Sequence, residues 1–150
     1  ADTVPVGGTS DYVPEMIHAS ARGEACTCFV REDTCLPWMM MPECVQAILQ
    51  LADAPVLSRC VYNVASFSAT AGTFAKAVRE HFPDAEITFE AHEGRQALVD
   101  TWPADVDCLR AREDWGYTPR WTLEEAMREY IVPTVRARYG ESRSTEGNAL

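Results

Sequence analysis

The sequence predicts one mixed α/β domain, and three observations carry that expectation. Short β-branched runs alternate along the chain with stretches whose apolar residues recur at helical spacing. The 150 residues, 47% of them hydrophobic, suffice for one core and argue against two domains. No run approaches the roughly 20 apolar residues of a membrane-spanning helix.

The first helix is expected from Asp11 to about Ala21, with Tyr12, Met16 and Ile17 within reach of one another and Gly23 as the stop. Thr9, Ser10 or Asp11 is placed to cap it, and Pro14 fits the first turn, where backbone N–H groups lack intrahelical partners. Cys26 to Val30 reads as a strand, and LPWMMMPE as an apolar loop between Pro37 and Pro42. Pro42 then opens a helix carrying Val45, Ile48, Leu49 and Ala52. RCVYNVASFS reads as a buried strand through Val61, Tyr62 and Val64. Residues 70 to 82 form an amphipathic helix with Phe74, Ala75, Val78 and Phe82 on one side. AEITFEA alternates like a half-buried strand, a loop passes through Gly94, and a short helix is expected near 107 to 113. The last helix runs from Thr122 to about Tyr130, and Thr122 with Glu125 matches a capping box. Residues 1–139 are read as the folded unit and 140–150 as a disordered tail poor in apolar residues.

Charge and cysteine content narrow the function classes. A formal net charge of -10 disfavours nucleic acid and anionic membranes as partners. With no basic head and apolar core of a secretion signal at the N-terminus, a cytoplasmic location is expected. The cysteines at 26, 28, 35, 44, 60 and 108 lack zinc-ligand spacing, so reduced thiols are expected and no metal. His18, His81 and His92 have no recognisable nucleophile beside them and are assigned to solvent-facing or helix-terminal roles. Asp105 and Asp107 suit a helix start, and the Met39-Met40-Met41 run suits packing. Two stretches remain. In VGGTSDY, glycines, hydroxyls and a helix N-terminus offer either an ordinary capped helix or a site for a small carboxylate; in DTWP, Trp102 suits either core packing or the cover of a ligand.

GGTSDYVPEM, TCLPWMMMPE, YNVASFS and DTWPADVDCLRAREDWGYTPRWTLEEAM together resemble the C-terminal half of short-chain-dehydrogenase-type L-threonine 3-dehydrogenases, relatives of nucleotide-sugar epimerases. The family versions run close to GGGTTDYA, LPMMYMPD and DSWPxSxDDSxARxDWGW. The resemblance implies the substrate-binding half of an extended Rossmann-type, NAD-dependent epimerase/dehydrogenase, with the Gly-rich dinucleotide loop and the catalytic Tyr-x-x-x-Lys pair in an N-terminal half that lies outside this sequence. It therefore implies no catalytic or cofactor-binding residue here, NAD held mainly by that other half, no metal, and a chain inactive alone. Gly8, Thr9 and Ser10 match the loop that holds the amino acid's polar groups, and Trp102 the residue that covers it; Asp11 and Tyr12 match structural neighbours. Implied partners are the N-terminal dinucleotide-binding half, a small amino-acid substrate and a second copy in a homodimer. Ser10, Trp38, Met40, Glu43 and Cys108 stand where the family has Thr, Met, Tyr, Asp and Asp, so a drift in substrate is one expectation. A nucleotide-sugar epimerase or reductase half and a noncatalytic binding or dimerisation module are the alternatives.

Overall fold

A computed structural model describes residues 3–140. Helix α1 spans Tyr12–Arg22, β1 Cys26–Cys28, β2 Cys35–Trp38, α2 Met41–Ala52, β3 Phe67–Thr70, α3 Ala71–His81 and β4 Ile87–Phe89. After these come α4, Glu93–Val99, α5, Leu109–Trp115, and α6, Leu123–Ala126; a wide π-helical turn over Met127–Ile131 leads into α7, Val132–Gly140. The mixed α/β class holds. The strands form two two-stranded sheets: β1 runs parallel to β4, with Cys26 opposite Ile87, and β2 antiparallel to β3, with Cys35 opposite Thr70 and Trp38 opposite Phe67.

The main core lies where α1 meets α3, α7 and the strands. Tyr12, Met16, Phe74, Val78, Met127 and Val135 are all fully buried there. Burying a side chain of Phe74's size contributes about 1.5–3 kcal/mol. Its ring meets Trp38 edge-on at 5.0 Å, so α3 and β2 lock to each other through aromatic contact. Helix α3 starts because Thr70 turns its hydroxyl to accept from the Thr73 N–H at 3.0 Å. A smaller cluster gathers Ala47, Ala65, Cys108, Ala111 and Tyr117, with the Tyr117 hydroxyl donating to the Ala65 carbonyl at 2.9 Å.

Several expectations are corrected. Residues 61–64 form no strand: Val61 is 77% exposed, and the pairing strand begins only at Phe67. LPWMMMPE is not a loop throughout, because Cys35–Trp38 pairs with β3 and its Pro37 sits in a strand with one neighbour only, where a missing N–H is tolerated. The loop through Gly94 is helix α4, capped by His92, whose Nδ1 accepts from the Arg95 N–H at 3.3 Å. The last helix continues past Tyr130 to Gly140, because the π turn and α7 carry Ile131, Val132 and Val135 into the core. His18 is buried rather than solvent-facing, with Nδ1 2.8 Å from the Tyr139 hydroxyl. The expected disordered tail, apart from Gly140, lies outside the described residues. Among those residues no helix is long and apolar enough to cross a membrane.

Candidate functional site

Two of the sequence-predicted residues, Ser10 and Trp102, come together. They line a shallow, largely apolar cleft of about 250 Å³ whose floor is Leu36, Pro37 and Trp38 of β2 and whose rim includes Pro103. Ser10 is exposed and Trp102 is 38% exposed, so both remain accessible to a small molecule. Gly8 and Thr9 stand just before Ser10 in the same loop without lining the cleft.

The loop owes its shape to Asp11. Its carboxylate points backward and accepts from the N–H of Gly8 at 2.8 Å and of Val6 at 3.2 Å, while the Asp11 N–H donates to the Gly8 carbonyl at 3.0 Å. A side chain at Gly8 would press its Cβ within 3.1 Å of that carboxylate, and Gly7 takes a left-handed φ of 92°, so the two glycines answer two different needs. Because Asp11 is occupied with the loop, it gives no side-chain cap to α1. The expectation that one of Thr9, Ser10 or Asp11 caps the helix is thus not met: Asp11 occupies the N-cap position but builds the loop instead. The first N–H groups of an 11-residue helix are left without a side-chain acceptor beside Ser10.

Helix α4, absent from the sequence reading, brackets the cleft. Arg95 lies 4.2 Å over the Phe29 ring and donates to the Gly7 carbonyl at 3.3 Å. Its charge also opposes the rise that burial imposes on the Glu15 carboxyl of α1. Next to it, the buried Gln96 amide accepts from the Arg31 N–H at 2.7 Å and donates to Thr34, just ahead of β2, and to Asp100. Arg31 closes the network with a two-pronged contact to Asp100 at 2.8 and 3.0 Å, which holds the Asp100 carboxyl below its ordinary range. The helix then ends in a turn whose Trp102 N–H donates to the Val99 carbonyl at 2.9 Å. Loop, floor and cover are therefore fixed to one short helix. The His92 cap and the Gln96 amide were the available sequence signals, and Gly94 beside them obscured the helix.

Beneath the cleft, Tyr12 stands edge-on to Trp38 at 5.8 Å. Among the described residues the buried Tyr12 hydroxyl and Trp38 Nε1 find no hydrogen-bond partner, and burial raises the Tyr12 pKa well above the usual phenol value. Among the described residues no group of three or more His, Cys, Asp or Glu is placed to hold a metal, and all six cysteines are unpaired.

The chain aligns with L-threonine 3-dehydrogenase of Bos taurus, described as mitochondrial, at 33% identity over 150 residues. The alignment takes in 99% of this chain and 39% of that protein. The GalE-like L-threonine dehydrogenase of Cupriavidus necator superposes with a TM-score of 0.81 at 40% identity, over 87% of this chain and 48% of the other. The chain is similar to the epimerase-like L-threonine dehydrogenases and aligns with their C-terminal portion. The L-threonine dehydrogenase of Phytophthora infestans superposes at 0.82, with 30% identity over 89% of this chain and 44% of that one. The chain thus spans about two-fifths to one-half of the length of these relatives. No protein-family model matches it.

One departure from the family pattern acquires a role. Glu43, where the family has Asp, is 5% exposed. It accepts from the Arg120 N–H at 2.7 Å, the Trp121 N–H at 3.2 Å, the Ser66 hydroxyl at 2.7 Å and the Met40 N–H at 3.3 Å. A buried carboxylate with four donors is a structural clasp, fastening the start of α2 to the approach to α6.

Proposed function

We propose that this chain is the substrate-positioning portion of an NAD-dependent dehydrogenase acting on L-threonine or a closely related small hydroxy amino acid. The observation that carries the reading is the convergence of Ser10 and Trp102 on one cleft beside the uncapped end of α1. Ser10 supplies a hydroxyl and the helix end supplies N–H groups and positive potential suited to a carboxylate. Gly8 and Thr9 shape the approach, and Trp102 over β2 gives an apolar surface for a small alkyl group. Trp38, whose buried Nε1 has no hydrogen-bond partner among the described residues, forms part of the floor.

This chain contributes position rather than bond chemistry. Its sequence has no G-x-G-x-x-G loop, so the residues present do not fit a dinucleotide, and both NAD and the catalytic base belong to the N-terminal portion in this reading. The chain alone is then inactive, and its six unpaired thiols suit a cytoplasmic protein.

Threonine oxidation followed as NADH appearance tests the reading, with this chain alone and then with the N-terminal portion of the Cupriavidus necator enzyme. Silence alone and turnover on mixing are expected, with Trp102→Ala lowering turnover about tenfold or more. A folded, associated mixture that leaves threonine untouched overturns it. A second reading draws on a Staphylococcus saprophyticus protein described as an uncharacterized epimerase/dehydratase, 28% identical over 137 residues. Turnover of a nucleotide sugar by the same mixture would favour that one.

A further inference from the structure

We propose that Asp100 and Asp105 are positioning residues for the Trp102 cover. Their carboxylates fasten the two ends of a short strap, residues 100–105, to the sheet that forms the cleft floor and to the turn that leads into it, and so set the height of the indole above that floor. The inference rests on the reading above, that the cleft takes a small hydroxy amino acid.

The strap has no apolar anchor of its own. Val99 before it and Cys108 after it are buried, whereas every residue from Asp100 to Asp105 is exposed. It is neither helix nor strand. The Trp102 N–H bond to Val99 and the Thr101 hydroxyl bond to the Leu98 carbonyl tie only its beginning, back to α4. A segment without burial keeps one position only where other bonds offset the conformational freedom that it gives up.

Such bonds converge here from the elements that support the floor. At the first end, Asp100 accepts both prongs of the Arg31 guanidinium, at 2.8 and 3.0 Å, and the Gln96 amide at 2.7 Å. Arg31 opens the turn into β2, which the Thr34 N–H closes by donating to the Arg31 carbonyl at 3.1 Å. At the other end, Asp105 accepts from the Ser68 hydroxyl of β3 at 2.7 Å, and Ser68 is the residue paired with Pro37 of the floor. Between them the Ala104 carbonyl accepts from the Cys35 thiol at the head of β2, a weaker bond at 3.6 Å. Cover and floor thus take their positions from the same two strands. An isolated exposed ion pair contributes little. Here the pair is two-pronged, and it acts on one short strap together with the Ser68 and Cys35 bonds, so that releasing either end lets the indole swing about the other.

Fluorine NMR of the full chain labelled with fluorotryptophan tests the strap without any substrate. The sequence has four tryptophans, and Trp102→Phe identifies the resonance of the cover. In the double variant Arg31→Ala with Ser68→Ala that resonance is expected to shift and sharpen toward the position of the free amino acid, while those of Trp115 and Trp121 stay in place. Asp105→Ala should move it in the same direction; Asp105→Asn, whose amide oxygen still accepts from Ser68, should leave it where it is. A Trp102 resonance that does not move in the double variant, or four resonances that all move together, overturns the proposal. Threonine turnover by the mixture with the N-terminal portion of the Cupriavidus necator enzyme then tests the link to the cleft. The double variant is expected to lower kcat/KM about three- to tenfold, and to lower it no further in the Trp102→Ala background, because effects that act through one group are not additive. An equal fall in both backgrounds places the bonds in the service of the fold rather than of the cover, and overturns the proposal. If the fluorine result holds and the unaltered mixture oxidises no threonine, the substrate reading falls and the anchored strap stands.

Discussion

The cleft region, built from α1, β2 and α4, and the outer face of α2 with residues 54–64 are made from similar residue types used in opposite senses. Around the cleft, large side chains point inward: Tyr12 and Phe74 are fully buried, and Gln96, Asp100 and Arg31 satisfy one another around α4. On α2, Val45, Ile48 and Leu49 meet solvent, and polar groups such as Glu43 lie on the inner side. The difference teaches that an apolar stripe reports what a helix is built to bury, whereas the structure reports what this chain has available to bury it in.

Substitutions can break that contrast or sharpen it. The largest effect is expected from Phe74→Ala, which empties the contact between α3 and β2 and should cost about 3–5 kcal/mol in urea unfolding. A loss below about 1 kcal/mol would mean that the core around Trp38 is not what holds the cleft floor. Glu43→Ala comes next: it strands the buried N–H groups of Met40 and Trp121, for an expected loss of about 2–3 kcal/mol by the same measurement. Its conservative counterpart Glu43→Gln should recover part of that loss, because the amide oxygen still accepts.

A pH dependence of similar or smaller size belongs to the core alone. Burial pushes the Cys28 thiol up to about 11, against an ordinary 9.0. The unfolded chain ionises first, so the stability from the neutral thiol is complete below about pH 9 and lost as pH rises toward 11, on the order of 2 kcal/mol. Cys28→Val should flatten this part of the stability–pH curve measured by denaturant titration. Smallest of all, Leu49→Ser on the outer stripe should change the stability of the chain alone by no more than about 0.5 kcal/mol. It should nonetheless reduce binding of an apolar dye; a large destabilisation there would show that the stripe is already packed.

What was legible in the sequence follows from how local each feature is. Helices α1 and α3 and the capping box of Thr122 with Glu125 depend on neighbours a few residues away, and all appear as read. Strand β2 reads as a loop in the sequence because Pro37 forbids a central strand, though not a strand with a single neighbour. The pattern of residues 61–64 predicts a buried strand, and it fails here because no strand neighbours them among the described residues. At the site, residue chemistry points to the stretch that holds Ser10 and to Trp102, the resemblance implies their roles, and the two side chains converge on one cleft. The supports given by Arg95, Gln96 and Glu43 escape the sequence reading, since each reaches at least one partner across 50 or more residues. No local periodicity encodes such contacts.

The π-helical turn at Met127–Ile131 bears on how the end of the chain keeps its aim. Met127, Ile131, Val135 and Tyr139 are spaced four apart, and at 3.6 residues per turn such a row drifts about 40° with every step around an α-helix. A turn containing more residues slows that drift at its first step. The turn works as a phase correction: it keeps Val135 directed at the core and Tyr139 within reach of His18, so the closing helix is timed by one locally slackened coil.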